Sequence, residues 1–301
     1  MLLIINKSCI YFINQYNSIN DYYQYIVILI KKILENNEVT ININFSNENY
    51  TFPNNNKTIR INFNYEHTLV KINGRGAEGS PAGNIKDAND NSNYLVRIDR
   101  YNELNNADII IDYSNPNIYN VSESRLFDIF AKKMIYIAPS LYELYFIKEN
   151  RTINTLTTFI NIHEPRRLAL LEKTRQYKIA HTNINNCFEK NDLQRLYKNT
   201  KILINIHQTD HHHTFEELRV LPALECGVIV ISEHSPLSQL VPYSDFVIWE
   251  NYDTILDKVN EVLTNYDYFY DLIFNKDTFK KLEEIRNQNY ETLSAVLLHQ
   301  L

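Results

Sequence analysis

Glu216 and Arg219 stand three residues apart, a spacing that brings two side chains to one face of a helix. Leu218, Leu221 and Leu224 repeat at steps of three and give that helix a stripe to bury. A carboxylate in such a place can hold a sugar hydroxyl, and a guanidinium can take two phosphate oxygens at once. Arg166 and Arg167, just after Pro165, offer two more phosphate contacts, with surface ion pairing as the alternative for all three arginines. Asn205, His207 and Ser235 lie at or just past the ends of apolar runs, and His163 shortly before the arginine pair. His211, His212 and His213 are open to contact with a sugar or phosphate, or to a solvated loop. Neighbours in sequence rarely converge on one ion, and no cysteine or carboxylate accompanies them at ligand spacing, so no metal site is expected. Glu66 and His67 follow a strand; His67 reads as a general base or as a buried structural histidine.

The chain has only five glycines, and Gly74, Gly76, Gly79 and Gly83 are four of them. Such clustering marks a loop that needs unusual backbone angles or close approach to a ligand. Gly74-Arg-Gly-Ala-Glu-Gly79 formally matches GxGxxG, but a dinucleotide site requires a helix to start there, and Ser80-Pro-Ala-Gly83 follows. A ligand-covering loop, a hairpin connection and a dinucleotide fingerprint, with Asp99 as its acidic partner, all remain open.

The elements that must position these residues alternate as in an α/β protein. In the first half, strands are expected at 2–5, 40–45, 58–63, 68–72, 94–98, 107–112 and 134–137, with helices over 19–35 and near 123–132. After a polar linker at 145–155, five strand-then-helix units follow, with strands at 157–161, 178–181, 201–207, 228–232 and 246–249. Helices are expected at 165–177, 192–198, 214–226 and 253–264. A short helix after Ser235 would offer its N-terminal amides to an anion. Thr214 and Glu217 fit a capping box, which by itself accounts for Glu217, and Gly227 fits a helix C-cap. Such a series implies a parallel doubly wound sheet, whose ligands bind at the carboxyl ends of its strands. Two domains are expected, 1–148 and 149–301, with the last helix crossing back to the first.

A net charge of −6 argues against nucleic-acid binding. Three widely spaced cysteines without a CxxC pair fit a reducing, cytoplasmic setting. The apolar start reads as a first strand rather than a signal peptide, and Tyr23–Ile30 is too short to span a bilayer. Richness in Asn, Ile, Tyr and Lys reflects AT-rich codons and points to a large DNA virus or a low-GC organism.

Ile204-Asn-Ile-His207 followed by Phe215–Glu233 resembles the C-terminal motif of GT-B-fold glycosyltransferases, nearest the spore-protein-like and polysaccharide-biosynthesis group. Thr158–Arg167, Tyr94–Ile98 and Ala107–Asn117 resemble the same group. The resemblance implies two Rossmann-like domains facing across a cleft and metal-independent sugar transfer from a nucleotide-sugar donor to a glycan or other acceptor. The nucleotide sugar is substrate, and no cofactor is implied. Taken with the residue chemistry, it puts Glu216 and His67 in catalysis. Arg219, Arg166, Arg167, His163, Asn205, His207, Glu217 and Ser235 fall to the donor, and Gly74, Gly76, Gly79 and Ser114 to the acceptor side. Glu217 and Glu225 have the spacing of the glutamate pair of retaining members, yet alignment on Gly227 puts Thr214 and Pro222 at those positions. The alternatives are a GT-B-fold binding protein without catalysis and an NAD-dependent enzyme built on the Gly74–Gly79 loop.

Overall fold

A computed structural model describes residues 1–12, 19–46, 48–66, 68–72, 93–187, 190–210 and 214–300, with the backbone of 82–87. The chain divides into two compact units, Met1–Ala138 with Arg286–Leu301, and Pro139–Ile285.

The first unit runs β1 (Leu2–Ile5), β2 (Ser8–Tyr11), α1 (Asn20–Asn37), β3 (Asn42–Asn44), β4 (Thr58–Asn64), β5 (Leu69–Lys71), β6 (Ala82–Asp87), β7 (Asn93–Arg97), α2 (Tyr101–Asn105), β8 (Ile109–Asp112), α3 (Asn115–Ser122), α4 (Asp128–Ala131) and β9 (Met134–Tyr136). Its main sheet has the order β1-β2-β3-β4-β8-β9, parallel except for the β1–β2 hairpin. Tyr22, Ile26, Ile30 and Ile33 recur at helical spacing in α1 and are buried. Tyr23 meets Phe45 and Phe63 at ring-centroid distances of 5.2 and 5.4 Å, an aromatic seam between helix and sheet. On the far side Leu69, Tyr94, Val96, Ile110, Phe127 and Phe130 form a second apolar cluster.

β5, β7 and β6 form a separate antiparallel sheet in that order. The next described element after the glycine run is therefore a strand, β6, and not the helix that a dinucleotide fingerprint needs. Gly74, Gly76 and Gly79 themselves lie outside the described residues, as do His67 and His211–His213.

The second unit runs β10 (Ile153–Thr157), α5 (Pro165–Gln176), β11 (His181–Asn183), α6 (Lys190–Lys198), β12 (Thr200–Asn205), α7 (Glu217–Glu225), β13 (Ile229–Glu233), β14 (Val247–Glu250), α8 (Ile255–Thr264) and α9 (Tyr266–Ile273). α10 (Lys276–His299) begins here and ends in the first unit. The five strands are all parallel, in the order β11-β10-β12-β13-β14. Ile202, Leu203 and Ile204 on β12 and Ile229, Val230 and Ile231 on β13 are all buried. Such unbroken apolar runs suit strands covered on both faces.

Several boundaries differ from the sequence reading. The strand expected at 157–161 ends at Thr157, because Asn183 accepts from the Phe159 amide and the chain turns there. The strand expected at 178–181 is β11, which starts at His181. The expected linker contains the start of β10 and the buried Arg151. Arg151 donates to the carbonyls of Ile147, Tyr197, Thr200 and Cys226, at 2.7–3.1 Å. Tyr197 and Cys226 sit at the ends of α6 and α7, so the cation meets two negative helix poles. No capping box forms: α7 starts at Glu217, with Glu216 as its N-cap. In place of a helix after Ser235 there are two 3-10 turns, Ser238–Leu240, preceded by Leu237 at φ 61°, and Ser244–Phe246.

Candidate functional site at the carboxyl edge of the second sheet

The chain leaves β10 toward β11 on one side and returns to β12 on the other. The loops after β10 and β12 thus part in opposite directions. The crevice they leave at the carboxyl end of the sheet is where an open α/β sheet takes its ligand. α5 and α7 begin on its two flanks and bring Arg167 and Arg219 into electrostatic reach of each other.

The arginines of this crevice differ sharply. Arg166 makes two bonds to the Glu233 carboxylate, Nη2 to Oε1 at 2.5 Å and Nη1 to Oε2 at 3.0 Å. Its Nε meets Asp210 at 2.7 Å, and its guanidinium lies 4.2 Å from the Tyr252 ring centroid. Glu233 also accepts from the His207 amide at 3.0 Å. The guanidinium and this amide overcome the burial of the Glu233 carboxyl and hold it below the usual carboxylate range.

Arg167 is only 4% exposed and makes no ion pair within 4 Å among the described residues. Its Nε has no hydrogen-bond partner, and its guanidinium lies over Phe159 at 4.7 Å. Burial, then the neighbouring Arg219, lower its pKa to about 10, while Glu216 and Glu164 oppose the shift. It remains a cation at neutral pH. Arg219 is half-buried; its Nη1 donates to Asn205 Oδ1 at 2.7 Å, and Asn205 Nδ2 donates to Ser232 Oγ at 2.9 Å. Asn205 therefore aims Arg219 through a neutral contact, and among the described residues no carboxylate lies within ion-pair distance of it. Two like charges converge, one of them desolvated, where a phosphate would complete the electrostatics.

The other expected residues occupy the same edge in different ways. His207 is 4% exposed; its Nε2 lies 3.0 Å from the His234 carbonyl and 3.4 Å from Ser235 Oγ. His163 is exposed, with its amide held by Asn161 Oδ1. Glu216 is half-buried beside Arg167. Glu217 is fully buried and accepts from the Tyr243 hydroxyl at 2.9 Å, a role different from the expected cap. Glu225 is also fully buried, accepting from the Ser140 hydroxyl and from the Tyr142 amide. Both glutamates of the apparent pair are thus bound internally.

In the first unit the carboxyl end of β8 carries another polar cluster. Asp112 is fully buried and accepts from Asn64 Nδ2 at 2.5 Å, the Ser114 amide at 2.8 Å and Asn117 Nδ2 at 3.2 Å. Burial outweighs these bonds and raises its carboxyl to about 7. Ser114 is fully buried, and its hydroxyl makes no hydrogen bond.

The sequence reading assigns Glu233 and Tyr252 no role, although both fall in segments just past strand ends to which it directs attention, and it misses the Asn205–Ser232 link. The location rule for parallel sheets finds them, because Asn205, Ser232 and Glu233 all stand at carboxyl ends of strands. Among the described residues no group of His, Cys, Asp and Glu could hold a metal ion, and no helix is long and apolar enough to cross a membrane.

The fold defines a mixed α/β protein with parallel sheets. An uncharacterized protein of Acanthamoeba polyphaga mimivirus is 30% identical over 215 residues, spanning 67% of this chain and 72% of the mimivirus protein. The chain belongs to the family of that protein. No family model matches it.

Proposed function

We propose that the chain is a glycosyltransferase that moves a sugar from a nucleotide-sugar donor to a glycan or other acceptor. The observation that carries this reading is that buried Arg167 and half-buried Arg219 lie within electrostatic reach of each other at the switch point of the second sheet, with no ion pair within 4 Å to either among the described residues. A buried unpaired cation costs stability, so its retention calls for a ligand. In the transfer, the bond from the sugar's anomeric carbon to the diphosphate breaks and one to the acceptor oxygen forms. The nucleoside diphosphate leaves with the bonding pair, and the two guanidiniums stabilise its growing charge. The acceptor proton goes to a general base, a role we give to His67. Glu216 is the sugar-hydroxyl contact. The finer architecture we attach to this reading is GT-B, with the donor on the second unit, in the cytoplasm.

The test is donor binding and hydrolysis across a panel of nucleotide sugars. Arg167→Met and Arg219→Met should each weaken donor binding roughly ten- to a hundredfold, the value of a charged hydrogen bond, with circular dichroism unchanged. A panel without one binding donor, or two variants that bind like the parent, sinks the reading.

The second reading is a GT-B-fold binding protein without catalysis. It is favoured by the internal engagement of Glu217 with Tyr243 and of Glu225 with Ser140 and Tyr142. Donor binding without turnover would select it.

A further inference from the structure

Beside the arginine pair lies an aromatic group that phosphate binding leaves unused. Phe215 immediately precedes Glu216, the N-cap of α7, and its ring lies 4.7 Å from that of Trp249 near the end of β14. On β13's exit, His234 lies nearly parallel to Trp249, at 17° with centroids 6.3 Å apart. His234 is exposed, whereas Phe215 is only 2% exposed. The His234 backbone is held at both polar groups: its amide donates to the Glu250 carbonyl at 3.1 Å, and its carbonyl lies 3.0 Å from His207 Nε2. The indole N–H is directed to Ser244, 3.1 Å from both its carbonyl and its hydroxyl. Trp249 thus has no donor left for a ligand and can offer only ring surface.

We infer that His234, backed by Trp249 and Phe215, is a stacking platform for the base of a nucleoside diphosphate whose phosphates meet Arg167 and Arg219. The inference rests on the proposed function and deepens it. Charge complementarity supplies the phosphate end, since among the described residues neither arginine has a carboxylate within ion-pair distance, and Glu216 and Glu164 only oppose part of the shift at Arg167. Phe215 ties the platform to the N-terminus of the helix that carries Arg219. A platform that meets a base through its face tolerates different bases, because every base has a π-face. Both purine and pyrimidine diphosphates should therefore bind, the larger purine ring more tightly.

Trp249 is the single tryptophan of the chain, so its emission reports this place directly. The full chain is titrated with GDP, ADP, UDP and inorganic pyrophosphate, following tryptophan emission and, separately, heat of binding. The nucleoside diphosphates should change the emission and bind with GDP and ADP ahead of UDP. Pyrophosphate should bind with little optical change and compete with them. His234→Ala should weaken the nucleoside diphosphates roughly tenfold, the worth of one base stacked on an aromatic ring, and leave pyrophosphate affinity in place. If GDP binds no tighter than pyrophosphate and His234→Ala changes neither, the platform is overturned while the arginine site stands. If Arg167→Met and Arg219→Met also leave pyrophosphate binding intact, or nothing binds the parent, the donor-site reading falls with it.

Discussion

Arg166 and Arg167 are sequence neighbours at the start of one helix, and the turn of that helix sends them into different surroundings. Arg166 is matched by two carboxylates and a ring, so removing it leaves the largely covered Glu233 carboxylate without its guanidinium partner. Arg166→Met should cost about 3–5 kcal/mol in urea unfolding, the usual cost of breaking a buried pair from one side. Arg167 has no such partner, and its burial is a cost carried by the fold. Arg167→Met, close in volume and free of charge, should leave stability unchanged or raised while donor binding falls. A Tm loss for Arg167→Met as large as that for Arg166→Met would show Arg167 to be a structural residue. The adjacent arginines were legible in sequence as phosphate contacts; which of them has its charge answered was not. That difference is set by Glu233 and Asp210, residues far along the chain that reach the crevice only through the sheet.

At the level of elements, α7 is held at both ends by contacts remote in sequence. Its exit depends on Gly227, which has φ +69°. A Cβ there would stand 2.7 Å from both Arg151 Nη2 and the Tyr145 carbonyl. Gly227→Ala should therefore destabilise the second unit by about 2–4 kcal/mol, summing a left-handed backbone penalty and an overpacked contact. Urea unfolding followed by Trp249 emission measures it, and a midpoint equal to the parent's would refute this account. The C-cap role of Gly227 was readable from the sequence, because a glycine after an apolar helical run has a local cause. The start of α7 was not, since Thr214 and Phe215 are drawn out of the helix by burial, Phe215 against Trp249 and Tyr243. The end of β10 was equally hidden: Thr157–Ile162 is rich in β-branched and aromatic residues, and the bond that turns it is accepted by Asn183 on the next strand. α3 was missed although Ser114 and Pro116 carry a local helix-start signal; a helix was expected only near 123–132. The parallel pairing of the second sheet followed from the repeated strand-helix alternation alone.

Across the whole molecule, two buried titrating groups pull stability in opposite directions. Asp112, in the first unit, ionises at about 7 folded against 3.8 for the free side chain, so the folded state holds a proton the unfolded chain has lost. Its contribution is complete below about 3.8 and is lost as pH rises through about 7. His181, in the second unit, lies 2.9 Å from the hydroxyls of both Thr155 and Thr157 and is held by burial down to about 4, against 6.5 when free. Its contribution is complete above about 6.5 and is lost as pH falls toward about 4. Between pH 5 and 6.5 the first unit should weaken and the second strengthen as pH rises. Each slope is at most about 1.4 kcal/mol per pH unit. Trp249 emission follows the second unit, and hydrogen exchange at β8 follows the first. Asp112→Asn should flatten only the β8 dependence, and parallel slopes in both probes would contradict the assignment. α10 has its own consequence for how this chain is made. Asn289 donates to the Ala138 carbonyl and accepts from its amide, both at 2.8 Å, and also donates to the Tyr25 hydroxyl at 2.9 Å. The first unit is therefore incomplete until Asn289 leaves the ribosome. The second, uninterrupted from Pro139 to Ile285, has all its strands in hand earlier. Vectorial synthesis here should finish the later-encoded unit first, reversing the usual N-terminal-first order.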